Sequence, residues 1–352
     1  MASQSDHAAH FSQCFLSPRT QQDIERDEQI YNSYEELTSQ LPINHDWPLF
    51  SLQHYQSFWI PARFVPACMA IQSHFNPRPS DILLVTNPKS GTTWLKALSF
   101  ATLHRRSFSL SDHPLLTNTP HQCLPYLEHL FSHRTFPNLN VLPSPTIFAT
   151  HLPLSLLPQS ALRCRIVYLC RDPKDTFVSM YHFVDRSMGS FAEHTSTTQG
   201  LDLSKTFQMF SQGTSAFGPF WDHMLGYWKE SLRSPEMVLF FRYEEMMEDP
   251  VSRLSRLAQF MGCPFSMEEE RDGVVEDIVK LCSFDNLREF EVNKDNKGSF
   301  EGKLPASSFF RKGKVGDWVN YLSMEMAEKL DAITKEKLHG SGLTFESSSV
   351  VP

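Results

Sequence analysis

Residues 82–96 read ILLVTNPKSGTTWLK, and no other stretch restricts the fold as strongly. Ile82 to Val85 is a short apolar run bounded by turn residues, the pattern of a buried strand in a parallel sheet. Asn87, Pro88 and Gly91 break the run, and Thr93 to Ala101 then resumes with helix-compatible residues. A strand that turns sharply into a helix leaves backbone N–H groups pointing out of the helix N-terminus, where an anion is favoured. Lys89, Ser90, Thr92 and Thr93 add an ammonium and three hydroxyls to that turn, so it reads as a phosphate cradle. It is not the G-x-x-x-x-G-K-[ST] loop: Lys89 precedes the only glycine, and no acidic residue with metal-site spacing follows. That argues against ordinary ATP or GTP chemistry, and no metal is expected.

Strand-like runs recur at 145–151, 165–170 and 237–241, separated by helical stretches near 173–184, 203–211, 217–232, 250–261 and 267–281. A helix at 27–41 precedes them, and one at 323–338 follows a polar loop, 293–308. Alternation of this kind predicts an α/β fold with a mostly parallel central sheet flanked by helices and a phosphate-binding strand-loop-helix. No repeat or linker divides the chain. Residues 1–25 are expected to be a disordered tail, and 26–352 a single domain.

A net charge of −8 speaks against broad binding to nucleic acid or anionic membranes, so any basic site must be local. There is no apolar run long enough to span a bilayer, and no signal-peptide core near Met1. The cysteines (Cys14, Cys68, Cys123, Cys164, Cys170, Cys263, Cys282) form no C-x-x-C pair, which fits a reducing compartment and no zinc site. A cytoplasmic protein is expected.

Three further segments carry chemistry. In IVYLCRDPKDTFVSMYHF (166–183), Asp172 is a good N-cap, Pro173 suits the first helical position, and Asp175 lies three on, as in a capping box. Arg171 then sits at a strand's C-terminal end, where ligands bind in such sheets, with Ser179 about two turns into the helix. Pairing of Arg171 with Asp172 or Asp175 is the alternative. FFRKGKVGDW (309–318) gathers Arg311, Lys312 and Lys314 around Gly313 and Gly316, a basic loop that lets backbone approach an anion. IFATHLP ends an apolar strand on His151, placed to take a proton near neutral pH, with His182 as a competing candidate. Two anion sites suit a nucleotide with phosphates at both ends.

PKSGTTW, RDPKDTFVS, LCSF (281–284) and RKGKVGDW together resemble cytosolic sulfotransferases, and the flanking THLPLSLLP is most similar to the plant soluble branch. The motifs keep the family's order over about residues 47–345. The resemblance implies 3′-phosphoadenosine 5′-phosphosulfate (PAPS) as co-substrate and a small hydroxylated metabolite as acceptor. It implies that Lys89, Ser90, Gly91, Thr92, Thr93 and Trp94 hold the 5′-phosphosulfate. Arg171, Ser179, Arg311, Lys312 and Gly313 would bind the 3′-phosphate. Trp94 and Phe284 would stack on the adenine, with Tyr243 at its edge and Ser283 nearby; Cys282 stands where relatives often carry threonine. His151 would be the general base, Lys89 would stabilise the leaving phosphate, and Ser179 would restrain Lys89 until an acceptor arrives.

Two departures stand out. Ala149 occupies the position of a second lysine found in animal relatives. The animal dimer signature survives only as Glu328, with Val319, Ser323 and Met324 at its other positions, so a monomer is expected. Flavonoids, steroids, hydroxyjasmonate and desulfo-glucosinolates are the acceptors of the plant branch, with a lean toward hydroxyjasmonate-like or flavonol types. Phe58, Trp59, Phe131, Phe148, Phe183, Phe217 and Trp221 are candidate pocket residues, and 187–200 a candidate lid. A metal-dependent phosphotransferase would need a different loop; a non-catalytic nucleotide-binding protein would not need Lys89 and His151.

Overall fold

A computed structural model describes residues 19–192, 201–294 and 305–345. Its first element is helix α1 (Gln21–Thr38), opened by a reciprocal cap between Thr20 and Asp23. The helix therefore starts inside the stretch expected to be a tail; residues 1–18 of that tail lie outside the described region. A small antiparallel sheet follows: β1 (Ile43–Asn44), β2 (Leu52–Tyr55) and β3 (Phe58–Pro61). Helix α2 (Val65–His74) leads from it into the main sheet.

That sheet comprises β4 (Ile82–Thr86), β5 (Ile147–Thr150), β6 (Arg165–Cys170) and β7 (Val238–Arg242), in the order β5–β4–β6–β7. All its neighbours run parallel, as the alternating sequence pattern predicts. Successive side chains point to opposite faces. Leu83, Val85, Phe148, Ile166 and Tyr168 enter one hydrophobic cluster. Ile82, Leu84, Ile147, Val167 and Leu169 enter the other. Helices α4 (Pro173–Ala192), α5 (Leu203–Ser211), α6 (Phe220–Arg233) and α12 (Met324–Lys337) cover the first face. Helices α3 (Thr92–His104), α8 (Pro250–Phe260) and α10 (Val274–Leu281) cover the second.

The helix expected at 267–281 is two, α9 (Met267–Arg271) and α10. Between them Gly273 has φ 76°, a left-handed conformation that ends one helix and opens the next. The helix expected from 217 starts at Phe220, because Phe217 has φ 59° and Pro219 follows Gly218. α7 (Tyr243–Glu248) and α11 (Phe284–Glu289) complete the site's frame. Most of the polar loop at 293–308 falls outside the described residues.

Candidate active site

β4 connects outward to β5 on one side, while β6 connects outward to β7 on the other. The crevice between β4 and β6 is thus a switch point, where open α/β sheets bind ligands at the strands' C-terminal ends. Three loops leave those ends, carrying Lys89 after β4, His151 after β5 and Arg171 after β6, and α7 starts on Tyr243 directly after β7.

The β4–α3 turn is tight. Lys89 has φ 71° and Gly91 φ 110°. A Cβ at Gly91 would sit 2.8 Å from the Tyr243 ring and 2.9 Å from Leu169, so only glycine fits. Gly91 is also the N-cap of α3 and contributes no side chain, which leaves first-turn N–H groups for a ligand. Thr92 turns inward, its hydroxyl 2.6 Å from that of Thr86, and Thr93 meets His121 Nε2 at 3.1 Å. Lys89 Nζ lies 4.2 Å above the Phe183 ring. Burial, then the cations Arg171, Arg311 and Arg186, lower its pKa to about 7. A half-buried amine facing three guanidinium groups favours a bound anion.

Arg171 donates to the Lys314 carbonyl at 2.7 Å, lies 3.5 Å from Asp175 and stacks over Tyr243. Its Nε is buried without a partner among the described residues. Asp175 does not close the capping box. Its oxygens take the N–H groups of Gly316 (2.7 Å) and Trp318 (3.0 Å), and the N–H of Asp172 goes to Glu244 instead. Asp175 therefore clips the basic 311–318 loop onto α4. Asp317 holds Arg311 and Lys312, at 2.5 and 2.8 Å. Gly313, φ 62°, packs directly on Phe284, where a Cβ would be 2.5 Å from the ring.

His151 is fixed at three points. Nδ1 lies 2.7 Å from the Thr86 carbonyl, its backbone N–H donates to Glu128 at 2.6 Å, and its carbonyl meets His223 Nε2 at 2.9 Å. A carbonyl only accepts, so Nδ1 carries the proton and Nε2 is the basic atom. Burial pushes the ring's pKa down to about 3, which keeps it neutral.

One cavity of about 600 Å³ is lined by Lys89, Gly91, Thr92, Thr93, Trp94, His151, Arg171, Ser179, Tyr243, Ser283, Phe284, Arg311, Lys312 and Gly313. Of the expected site residues only Ser90 is absent from its wall; its hydroxyl is buried without a partner among the described residues. His182 lines the same cavity, its ring edge-on to Tyr321. Of the expected pocket aromatics, Phe183 and Phe217 line it. Phe58, Phe131, Phe148 and Trp221 are core residues instead, and Trp59 is half-buried against His54. The apolar wall comes from Trp47, Phe50, Phe64, Tyr126 and Phe309, which sequence reasoning missed. Most of the candidate lid, residues 193–200, lies outside the described residues. Among the described residues, no group of three or more His, Cys, Asp and Glu side chains could hold a metal ion.

The sulfotransferase-domain family matches residues 79–342. Cytosolic sulfotransferase 15 of Arabidopsis thaliana is 44% identical, with 92% of this chain and 90% of that protein covered. The chain belongs to the sulfotransferase family. This sulfotransferase is also 44% identical to a flavonol 4′-sulfotransferase of Flaveria chlorifolia, over 84% of this chain and 91% of the relative. Among solved structures, a putative steroid sulphotransferase of Arabidopsis thaliana superimposes with a TM-score of 0.68 at 36% identity, covering 88% of this chain and 94% of the other. A mouse sulfotransferase complexed with PAP gives 0.61 at 25% identity, covering 83% and 96%. Several relatives are named as cytosolic enzymes, in line with the expected compartment. No helix among the described residues is long and apolar enough to cross a membrane.

Proposed function

We propose that this sulfotransferase moves the sulfuryl group of PAPS to a hydroxyl of a small plant metabolite, with His151 as general base and Lys89 as the stabilising cation. The observation that carries the reading is that a neutral imidazole and a half-buried amine open into one cavity. The residues present suit a nucleotide with two anionic ends. Arg171 has an unpartnered buried Nε, α3 offers first-turn N–H groups, and Arg311 with Lys312 stands on a glycine-framed loop. When bound, PAPS would supply a sulfuryl group on a phosphate–sulfate anhydride. His151 Nε2 takes the acceptor's hydroxyl proton. Lys89, Thr92, Thr93 and the α3 N–H groups provide fixed positive potential for the negative charge that grows at the cradle. Trp94, Tyr243 and Phe284 offer ring surface for a base. Ser179 stands on α4 one turn before Phe183, over whose ring Lys89 rests, which suits a restraining role.

The apolar wall from Trp47 to Phe309 suits a flat hydrophobic acceptor with one reacting hydroxyl. The flavonol relative supports a flavonoid among the expected acceptor classes. A cytosolic monomer is part of the same reading. The test is transfer of radiolabelled sulfate from PAPS across a panel of hydroxylated flavonoids, steroids and hydroxyjasmonate, without added Mg²⁺. Turnover of at least one acceptor is expected; nucleotide binding without turnover on any would favour a binding protein. His151→Ala should abolish turnover and leave PAP affinity nearly intact, and loss of PAP binding in that variant would overturn the role given to His151.

A further inference from the structure

Glu128 is the only carboxylate in the cavity wall among the described residues, and it is 2% exposed. It sits in the helical turn Leu127–Leu130, immediately behind the end of β5. Oε1 accepts the His151 N–H at 2.6 Å and the Thr150 hydroxyl at 2.8 Å. Oε2 is buried and has no hydrogen-bond partner among the described residues. Burial raises its pKa, and its hydrogen bonds and the charge of Lys96 oppose that rise. Lys96 is not hydrogen-bonded to it, since Nζ donates to the Leu124 carbonyl at 3.0 Å and lies 3.5 Å above the Tyr126 ring. Besides Lys96, the titratable groups facing Glu128 are Cys68, Tyr126 and Tyr227, none of which offers a positive charge.

His151 has the converse surroundings. Burial above all, and then the facing Lys96, His223 and His129, disfavour a positive ring, although burial keeps His223 itself neutral by lowering its pKa to about 4. An imidazolium there needs a negative group close by, and Glu128 is bonded to its backbone. We propose that Glu128 is a positioning residue that acts through His151, as the counter-charge for the imidazolium formed when the acceptor's proton arrives. This rests on His151 being the general base. In the step, the acceptor O–H bond breaks and an Nε2–H bond forms, while Glu128 keeps its own protonation state. A carboxylate with one bare oxygen is poorly stabilised before the proton moves and better stabilised after it, so the contact favours the transition state over the ground state.

Two substitutions separate charge from geometry. Glu128→Gln keeps an oxygen for both hydrogen bonds and loses the charge; Glu128→Asp keeps the charge on a shorter arm. With PAPS and an accepted flavonoid, Glu128→Gln should lower kcat ~10-fold or more. Acceptor KM, PAP affinity by calorimetry and Tm should stay near wild type, and Glu128→Asp should recover part of the rate. Wild-type kcat in Glu128→Gln with a loss in Glu128→Asp would overturn the proposal, because geometry alone would then matter. A kcat loss matched by equal losses of PAP affinity and Tm would overturn it too, as damage to the fold. A wild-type protein without PAPS-dependent turnover would instead remove the functional reading beneath it.

Discussion

At the basic end of the cavity, Lys89, Arg171 and Tyr243 each follow within a few residues of the last position of a parallel strand. At the apolar end, Trp47, Phe64, Tyr126 and Phe217 come from four separate segments that meet only after folding. Phe217 arrives there by edge pairing: its N–H and the Gly218 carbonyl bond the main chain of Trp59, each at 2.7 Å. The basic end is held by backbone geometry, and the apolar end by long-range packing. Substitutions should therefore divide cleanly, with nucleotide binding and rate governed by the first and acceptor choice by the second.

The sharpest break should come from Lys89→Ala, which removes the cradle's ammonium and should cost ~10²–10³-fold in kcat. Equal loss from an apolar-end substitution would collapse the distinction. Next is Gly91→Ala. The left-handed backbone and the approach to Tyr243 should cost about 1–3 kcal/mol, read as weaker PAP binding and a lower Tm. Asp175→Ala frees the basic loop from α4 and should weaken PAP binding about tenfold, with acceptor KM unchanged, since hydrogen bonds to a charged group contribute ~1.5–3 kcal/mol.

A pH series sharpens the same contrast. The pKa of Lys89 in the free protein is lowered to about 7, and a bound anion raises it. Above pH 7 the empty site must take up a proton to bind, so PAP affinity should fall by up to about tenfold per pH unit. Below pH 7 Lys89 is already charged, and affinity should be flat from this group. Lys89→Arg should remove the slope, because arginine stays protonated. The smallest effect on the nucleotide is expected from Trp47→Ala: PAP affinity within twofold of wild type, and acceptor KM raised severalfold. A large change in PAP binding would show that the two ends are coupled.

The same division governs what could be read from the sequence. PKSGTTW and RDPKD carry their chemistry within a few residues, so composition and turn residues alone locate Lys89, Thr92 and Arg171. The four parallel strands were legible because both faces are buried and their runs are continuously apolar. Asp175 was misread, because its spacing to Asp172 suits a capping box while its partners, Gly316 and Trp318, lie far along the chain. Phe148 and Trp221 look like pocket aromatics locally, yet the fold sends one into the sheet's core and the other beneath α12, with its indole on Thr334 at 3.0 Å. Glu128 gave no signal, since a lone acid in a short turn is ordinary until His151 folds onto it. The cap opening α1 was available as Thr20 and Asp23 and was overlooked among polar neighbours.

β4 and β5 are adjacent and in register, with Val85 opposite Thr150, and the His151 ring is tied to the Thr86 carbonyl. The span between amine and imidazole is thus measured off on neighbouring strands about 4.8 Å apart, a ruler made of main chain. Side chains at the far wall can change shape and size, within what core packing allows, while that ruler stays the same length.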